Sequence, residues 1–180
     1  MASHIGRLAT AVCLGVVAVT ANSVVSANDV IAMVIKGPDI AGNMVSPLPG
    51  AIEVLSVKGA VKSQPNTGAG TAIAMLQDLS IIKRLDRSSI VLFQGAASGT
   101  HYTSVSLLFY HVNQGVASQF YQIDLGGVVT ISSDAFGDTE AQPLANDLET
   151  VTFHSCTIML TSFTPAPAQL GYDFCQGVKL

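Results

Sequence analysis

Residues 102–133 read YTSVSLLFYHVNQGVASQFYQIDLGGVVTISS, and this stretch decides the fold class. Apolar and polar side chains alternate through most of it, which is the period of a half-buried strand and not of a helix. Three strands are expected, over residues 102–110, 118–125 and 128–133, with Gly126-Gly127 as a bulge or a tight reversal between the last two. Val, Ile, Thr, Phe and Tyr supply most of the bulk, and these residues suit a pleated surface.

Working upstream, the period changes once. Asp86, Ser88 and Ser89 are all capable helix N-caps, and Ile90, Val91, Phe93, Ala96 and Ala97 follow at roughly helical spacing. One helix is therefore expected to begin near Ser88 with those apolar residues as its packing face. Gly95 is unfavourable inside it, and Gly99 is placed to end it with a positive φ. Before it, residues 71–84 (TAIAMLQDLSIIKR) read as one or two strands, with a helix as the alternative. Residues 64–70 read as a turn or flexible loop, residues 52–62 (IEVLSVKGAVK) as a strand with a bulge or bend at Gly59, and residues 29–36 (DVIAMVIK) as the first strand. Between these last two, residues 37–50 hold Pro38, Pro47, Pro49, Gly42 and Asn43, and a long exposed loop of the kind that carries an interaction is expected.

Working downstream, residues 134–147 form a second polar loop, residues 150–164 a long strand, residues 165–169 (PAPAQ) a turn, and residues 170–178 the last strand. About eight antiparallel strands and one helix result. A set this large must curl into a barrel or a sandwich to bury its apolar face. If the final hairpin turns at residues 164–169, Cys156 lies opposite or nearly opposite Cys175. Cross-strand neighbours sit close enough for a disulfide, so a Cys156–Cys175 bridge is expected.

The first 27 residues read as an address. Arg7 is the cation of a short n-region, residues 8–21 form an apolar run, and Val25-Ser26-Ala27 places compact residues where a signal peptidase reads. Cleavage after Ala27 leaves residues 28–180 as one domain and moves the net charge from −4 to −5, since Arg7 goes. Cys13 leaves with the leader, and the residues before it make no lipobox. The expected location is secreted, extracellular or periplasmic, where two remaining cysteines favour a disulfide over a metal site.

Composition excludes several functions. Eight Lys and Arg against twelve Asp and Glu make nucleic acid a poor partner, because each phosphate contact needs a cation. No basic face suits an anionic membrane, so no membrane association is expected after the leader is removed. Charged residues are 11% of the chain, so the exterior must be largely neutral, and such surfaces are commonly buried against another subunit. Catalytic patterns are thin. His154 stands two residues from Cys156 on one strand face, but the thiol is committed to the disulfide. His101 and His111 are isolated. Asp134, Asp138 and Glu140 fit no calcium-loop spacing, Gly68-Ala69-Gly70 lacks the rest of a dinucleotide fingerprint, and no Ser sits in G-x-S-x-G. No cofactor, metal or enzymatic activity is expected.

Several segments, in order, resemble the haemolysin-coregulated protein (Hcp) family, the tube subunits of type VI secretion systems. IEVLS at residues 52–56 resembles the family's I-D/E-V-L strand. QDLSIIKRLDRSS at residues 77–89 resembles its DLSFTKxxDKSS element, and SGTHY at residues 98–102 its Gly-Lys/Thr-His turn. LETVTF at residues 148–153 and LGYDF at residues 170–174 resemble its last two strands. The resemblance implies a small antiparallel β-barrel with one flanking α-helix. It implies homohexameric rings that stack into a tube and carry secreted effector cargo, with no catalysis. It also implies that the loop after the first strand reaches a neighbouring subunit or ring, through Pro38, Asp39, Ile40, Asn43, Met44, Val45, Pro47 and Leu48. The export signal and the short PAPAQ turn depart from the family's pattern. The expectation is therefore a secreted relative that forms rings or filaments outside the inner membrane, the alternative being a secreted monomeric effector or binding module with the same fold.

Overall fold

The computed structural model describes residues 21–23, 29–64, 73–136 and 147–180. In chain order the elements are β1 (Ala21–Ser23), β2 (Asp29–Lys36), β3 (Ile52–Val54), β4 (Ser56–Gly59), β5 (Val61–Gln64), β6 (Ile73–Leu76), β7 (Leu79–Arg84), α1 (Arg87–Ser98), β8 (His101–Tyr102), β9 (Ser104–Asn113), β10 (Val116–Phe136), β11 (Leu148–Ser162), β12 (Ala168–Asp173) and β13 (Val178–Lys179). Among the described residues the class is mainly β with one helix. The leader expected over residues 1–27 lies outside the described residues except for β1, which pairs antiparallel with β4.

Two long antiparallel strands, β10 and β11, form the spine. The two strands expected at residues 118–125 and 128–133 are one continuous strand. Gly126-Gly127 is a bulge in it, marked by a register shift between Gly126 and Val129. The sheet runs β1-β4-β7-β11-β10-β9-β2-β3. β3, at one end of this order, and β4, next to β1 at the other, are neighbours in the chain, because the expected single strand over residues 52–62 is bent. β3 pairs with β2, the chain turns at Leu55, and β4 pairs with β7. Leu55 N–H donates to Ile82 O at 2.7 Å across that corner. The sheet thus curls round to its own start, although β3 and β4 are not themselves paired and the ladder stays open. β5 leaves the corner to pair with β6 in a separate two-stranded sheet.

The inward phase of each strand builds one core. Ile31, Met33 and Ile35 of β2 meet Val105, Leu107 and Phe109 of β9, Leu79 and Ile81 of β7, and Val151 and Phe153 of β11. Each such side chain taken fully from water contributes about 1.5–3 kcal/mol.

The helix obeys its end signals but not its expected face. Asp86 is the N-cap, its side chain accepting from Ser88 N–H, with Ser89 closing a capping box. Gly99 ends the helix at φ 64°, a left-handed conformation that costs a glycine little. The buried residues are Ser88, Ser89, Leu92 and Gly95, whereas Ile90, Val91 and Phe93 face outward. Gly95 is required where it stood out as unfavourable, because a Cβ there would overlap the Tyr102 hydroxyl.

Residues 37–50 are not the freely exposed loop that their prolines suggested. Met44 and Ala51 pack with Ala32 on the outer face of β2, with Leu48, Leu108 and Tyr110 around them, and Ile40 belongs to the main core. Backbone bonds fasten the loop to itself, Gly42 N to Gly50 O at 2.9 Å and Met44 N to Ala51 O at 3.0 Å.

The last strand is also shorter than expected. Asp173 Oδ1 accepts the N–H groups of Cys175 and Gln176, both at 2.9 Å, which ends β12 in a turn and sends β13 back along it.

Candidate functional site

Lys83 and Glu149 occupy inward positions of neighbouring strands. The buried phase of β7 is Leu79, Ile81, Lys83, and that of β11 is Glu149, Val151, Phe153. The register sets Glu149 directly opposite Lys83, and both side chains are fully buried. Lys83 Nζ donates to Glu149 Oε2 at 2.8 Å, Ser89 Oγ at 2.9 Å, Asp86 Oδ1 at 2.9 Å and Arg84 O at 2.7 Å. Ser89 Oγ in turn donates to Glu149 Oε2 at 2.5 Å and accepts Asp86 N–H at 3.0 Å. Burial pushes the Asp86 carboxyl up, but hydrogen bonds from Ser88 and Lys83 outweigh it and hold that carboxyl below its ordinary value of 3.8.

Taking two charges out of water costs several kcal/mol per ion, and only a saturated network offsets it. Here the N-cap, the capping-box serine and both strands supply that network. Glu149 Oε1 is the one buried side-chain polar atom without a hydrogen-bond partner among the described residues. The cluster is closed to solvent, so its work is to hold the start of α1 against β7 and β11, not to touch a substrate. Arg87 extends the tie outward by donating to Gly42 O in the long loop.

The other residues singled out by sequence fall elsewhere. Cys156 and Cys175 form a disulfide with Cα atoms 5.2 Å apart. They are one position out of register, since Phe174 N–H bonds to Cys156 O at 2.8 Å. His154 is exposed and its Nδ1 lies 2.8 Å from Asp78 Oδ1, while Ser132 Oγ donates to Asp78 Oδ2 at 3.1 Å. With Cys156 in the bridge, no thiol stands beside His154 among the described residues. His111 stacks on Phe120 and pairs with Asp29 at 2.6 Å, and His101 is an exposed residue of β8. Asp134 lies in β10 opposite Val151. Residues 68–70, Asp138 and Glu140 lie outside the described residues.

Within the loop, Ile40 and Met44 are buried in the chain's own body and are not available to a neighbour. Pro38, Asp39, Asn43 and Val45 are exposed, Val45 to 83%, and Pro47 and Leu48 are half-buried. Among the described residues, no helix is long and apolar enough to cross a membrane.

The family model described as "Type VI secretion system effector, Hcp" matches residues 33–161. The chain belongs to the Hcp family. The Hcp match spans both strands and the helix that build the Lys83–Glu149 cluster, and it stops before Cys175. Solved Hcp structures share the fold. Hcp1 from Salmonella typhimurium has a TM-score of 0.71 at 22% identity, over 85% of this chain and 99% of that one. Hcp1 from E. coli EAEC 042, in a mutant form, has a TM-score of 0.68 at 18% identity, over 81% and 98%. Hcp3 from Pseudomonas aeruginosa, described as a secreted protein, has a TM-score of 0.61 at 14% identity, over 81% and 96%. No curated protein matches the chain.

Two of the segments that carried the resemblance, residues 77–89 and 148–153, meet at the buried cluster. That part of the Hcp signature is a packing device in this chain. Sequence reasoning missed the cluster although the signal was present: a Lys and a Glu, each in the inward phase of an adjacent strand.

Proposed function

We propose that this Hcp chain is a structural subunit that assembles with copies of itself into hexameric rings, which stack into a tube or filament with room for secreted cargo. We further propose that residues 1–27 direct its export, so that assembly takes place outside the inner membrane. The observation that carries the reading is the exterior. Charged residues make up only 11% of the chain, and the outward side of α1 shows Ile90 at 76% and Val91 at 42% exposure. An apolar helix face turned to solvent on a neutral barrel is an expected subunit contact. In the loop, Pro38, Asp39, Asn43 and Val45 meet the neighbour, while Ile40 and Met44 hold the loop in shape. Negative-stain electron microscopy of the secreted protein tests this: annular particles or filaments are expected, and uniform single particles of protomer size would replace it with the monomeric module. N-terminal sequencing of the same material tests the leader, with Asn28 expected first.

A further inference from the structure

Where β4, β7, β9, β10 and β11 curl together beside the β5–β6 pair, their walls line a half-open cavity of about 550 Å³. Leu79, Phe109, Ile123 and other aliphatic and aromatic side chains line it, and none of its described lining residues carries a charge. Two lining residues have polar tips, Tyr121 and Gln77. Neither side chain has a hydrogen-bond partner among the described residues. Burial pushes the Tyr121 hydroxyl up from its ordinary pKa, so this tip is neutral and available as a donor.

A cavity of this size lies within the roughly 300–1,000 Å³ typical of small-molecule sites, and a mostly apolar wall with a few polar groups is their usual lining. An apolar chain that displaces water from these walls gains the free energy of the apolar surface it covers. The absence of a cation from the described lining narrows the occupant further. A carboxylate or phosphate drawn into this wall would be a desolvated charge without a partner. A hydroxyl or ester would find Tyr121 and Gln77. We propose that the cavity binds a neutral single-chain amphiphile, of the class of a fatty alcohol or a monoacylglycerol. All of its described lining residues come from one chain.

The neutral fluorophore N-phenyl-1-naphthylamine, titrated into the full chain, tests it. One saturable site per chain is expected. Dodecanol and monolauroylglycerol should displace the probe at roughly tenfold lower concentration than dodecanoate at about pH 8, where the acid is ionised. Gly59 lines the cavity, and a Cβ there would stand 3.5 Å from Leu79 Cδ1, ordinary contact. Gly59→Phe should therefore fill the space and abolish probe binding. Tyr121→Phe, which removes one oxygen and folds in any case, should weaken monolauroylglycerol several-fold while leaving the probe's own affinity within about twofold. Non-saturable binding overturns the proposal, as does dodecanoate matching the neutral competitors, a folded Gly59→Phe that binds as before, or a Tyr121→Phe that leaves monolauroylglycerol unaffected.

Discussion

The two ends of the β10–β11 spine solve burial in opposite ways. At the end where β11 begins, β7 and α1 close over Lys83 and Glu149, and polar groups fill the interior to saturation apart from one carboxylate oxygen. At the other end, where β11 pairs with β12, the wall is apolar, a cavity is left, and a disulfide fastens the hairpin. Two of the family's segments, residues 77–89 and 148–153, meet at the first end, and another, residues 170–174, lies at the second beside the bridge and the PAPAQ turn. The contrast teaches that one spine carries two kinds of closure: a junction of polar groups that fixes the helix, and a looser apolar end fastened by a covalent bridge.

Four changes would break or sharpen that contrast. Lys83→Met strands Glu149 as a buried charge and should cost about 3–5 kcal/mol in denaturant unfolding, whereas Lys83→Met with Glu149→Leu should recover most of it. If the double variant is as unstable as the single, the junction is not an ion-pair device. At the other end, the Cys156→Ser, Cys175→Ser pair should cost about 3 kcal/mol, read as a lower midpoint that reductant no longer shifts. Gly95→Ala drives a methyl into Tyr102 and should cost about 1–3 kcal/mol despite the better helix former. Val45→Glu and Ile90→Glu alter outward side chains that take no part in either closure. They should change stability by no more than about 0.5 kcal/mol while lowering the assembled fraction in light scattering.

Acid adds a finer probe of the junction. The Asp86 carboxyl is held below 3.8 in the folded chain, so its contribution is complete above that value and is lost as pH falls through the lower folded pKa. Unfolding midpoints measured below about pH 4 should decline more steeply for the wild-type chain than for Asp86→Asn.

Much of this was legible in the sequence. The apolar, β-branched run DVIAMVIK marked β2 to its ends, Asp86 was one of three N-cap candidates for α1, and Gly99 marked its far end. The hairpin around PAPAQ brought the two cysteines within reach. The misses share a cause: a hydrophobic period counts apolar residues, while this junction is assembled from polar ones. Ser88 and Ser89 face inward because hydroxyls serve Lys83, Glu149 and Asp86, and Gly95 faces inward because Tyr102 needs the room, so Ile90, Val91 and Phe93 turn outward while Leu92 stays buried. The break at Leu55 was hidden for a different reason. Nothing in IEVLSVKG announces a barrel corner, which is set by the partners β3 and β4 find and not by local propensity. The buried loop residues Ile40 and Met44 were misread because prolines and glycines signal a loop without saying what it lies against.

The central claim is that neutral flanks with outward apolar side chains bind copies of the same chain. Light scattering coupled to size exclusion, repeated over a dilution series, tests it most directly. A mass of about six protomers that persists on dilution is the predicted result for a closed ring, and a single protomer mass at every concentration would contradict the account.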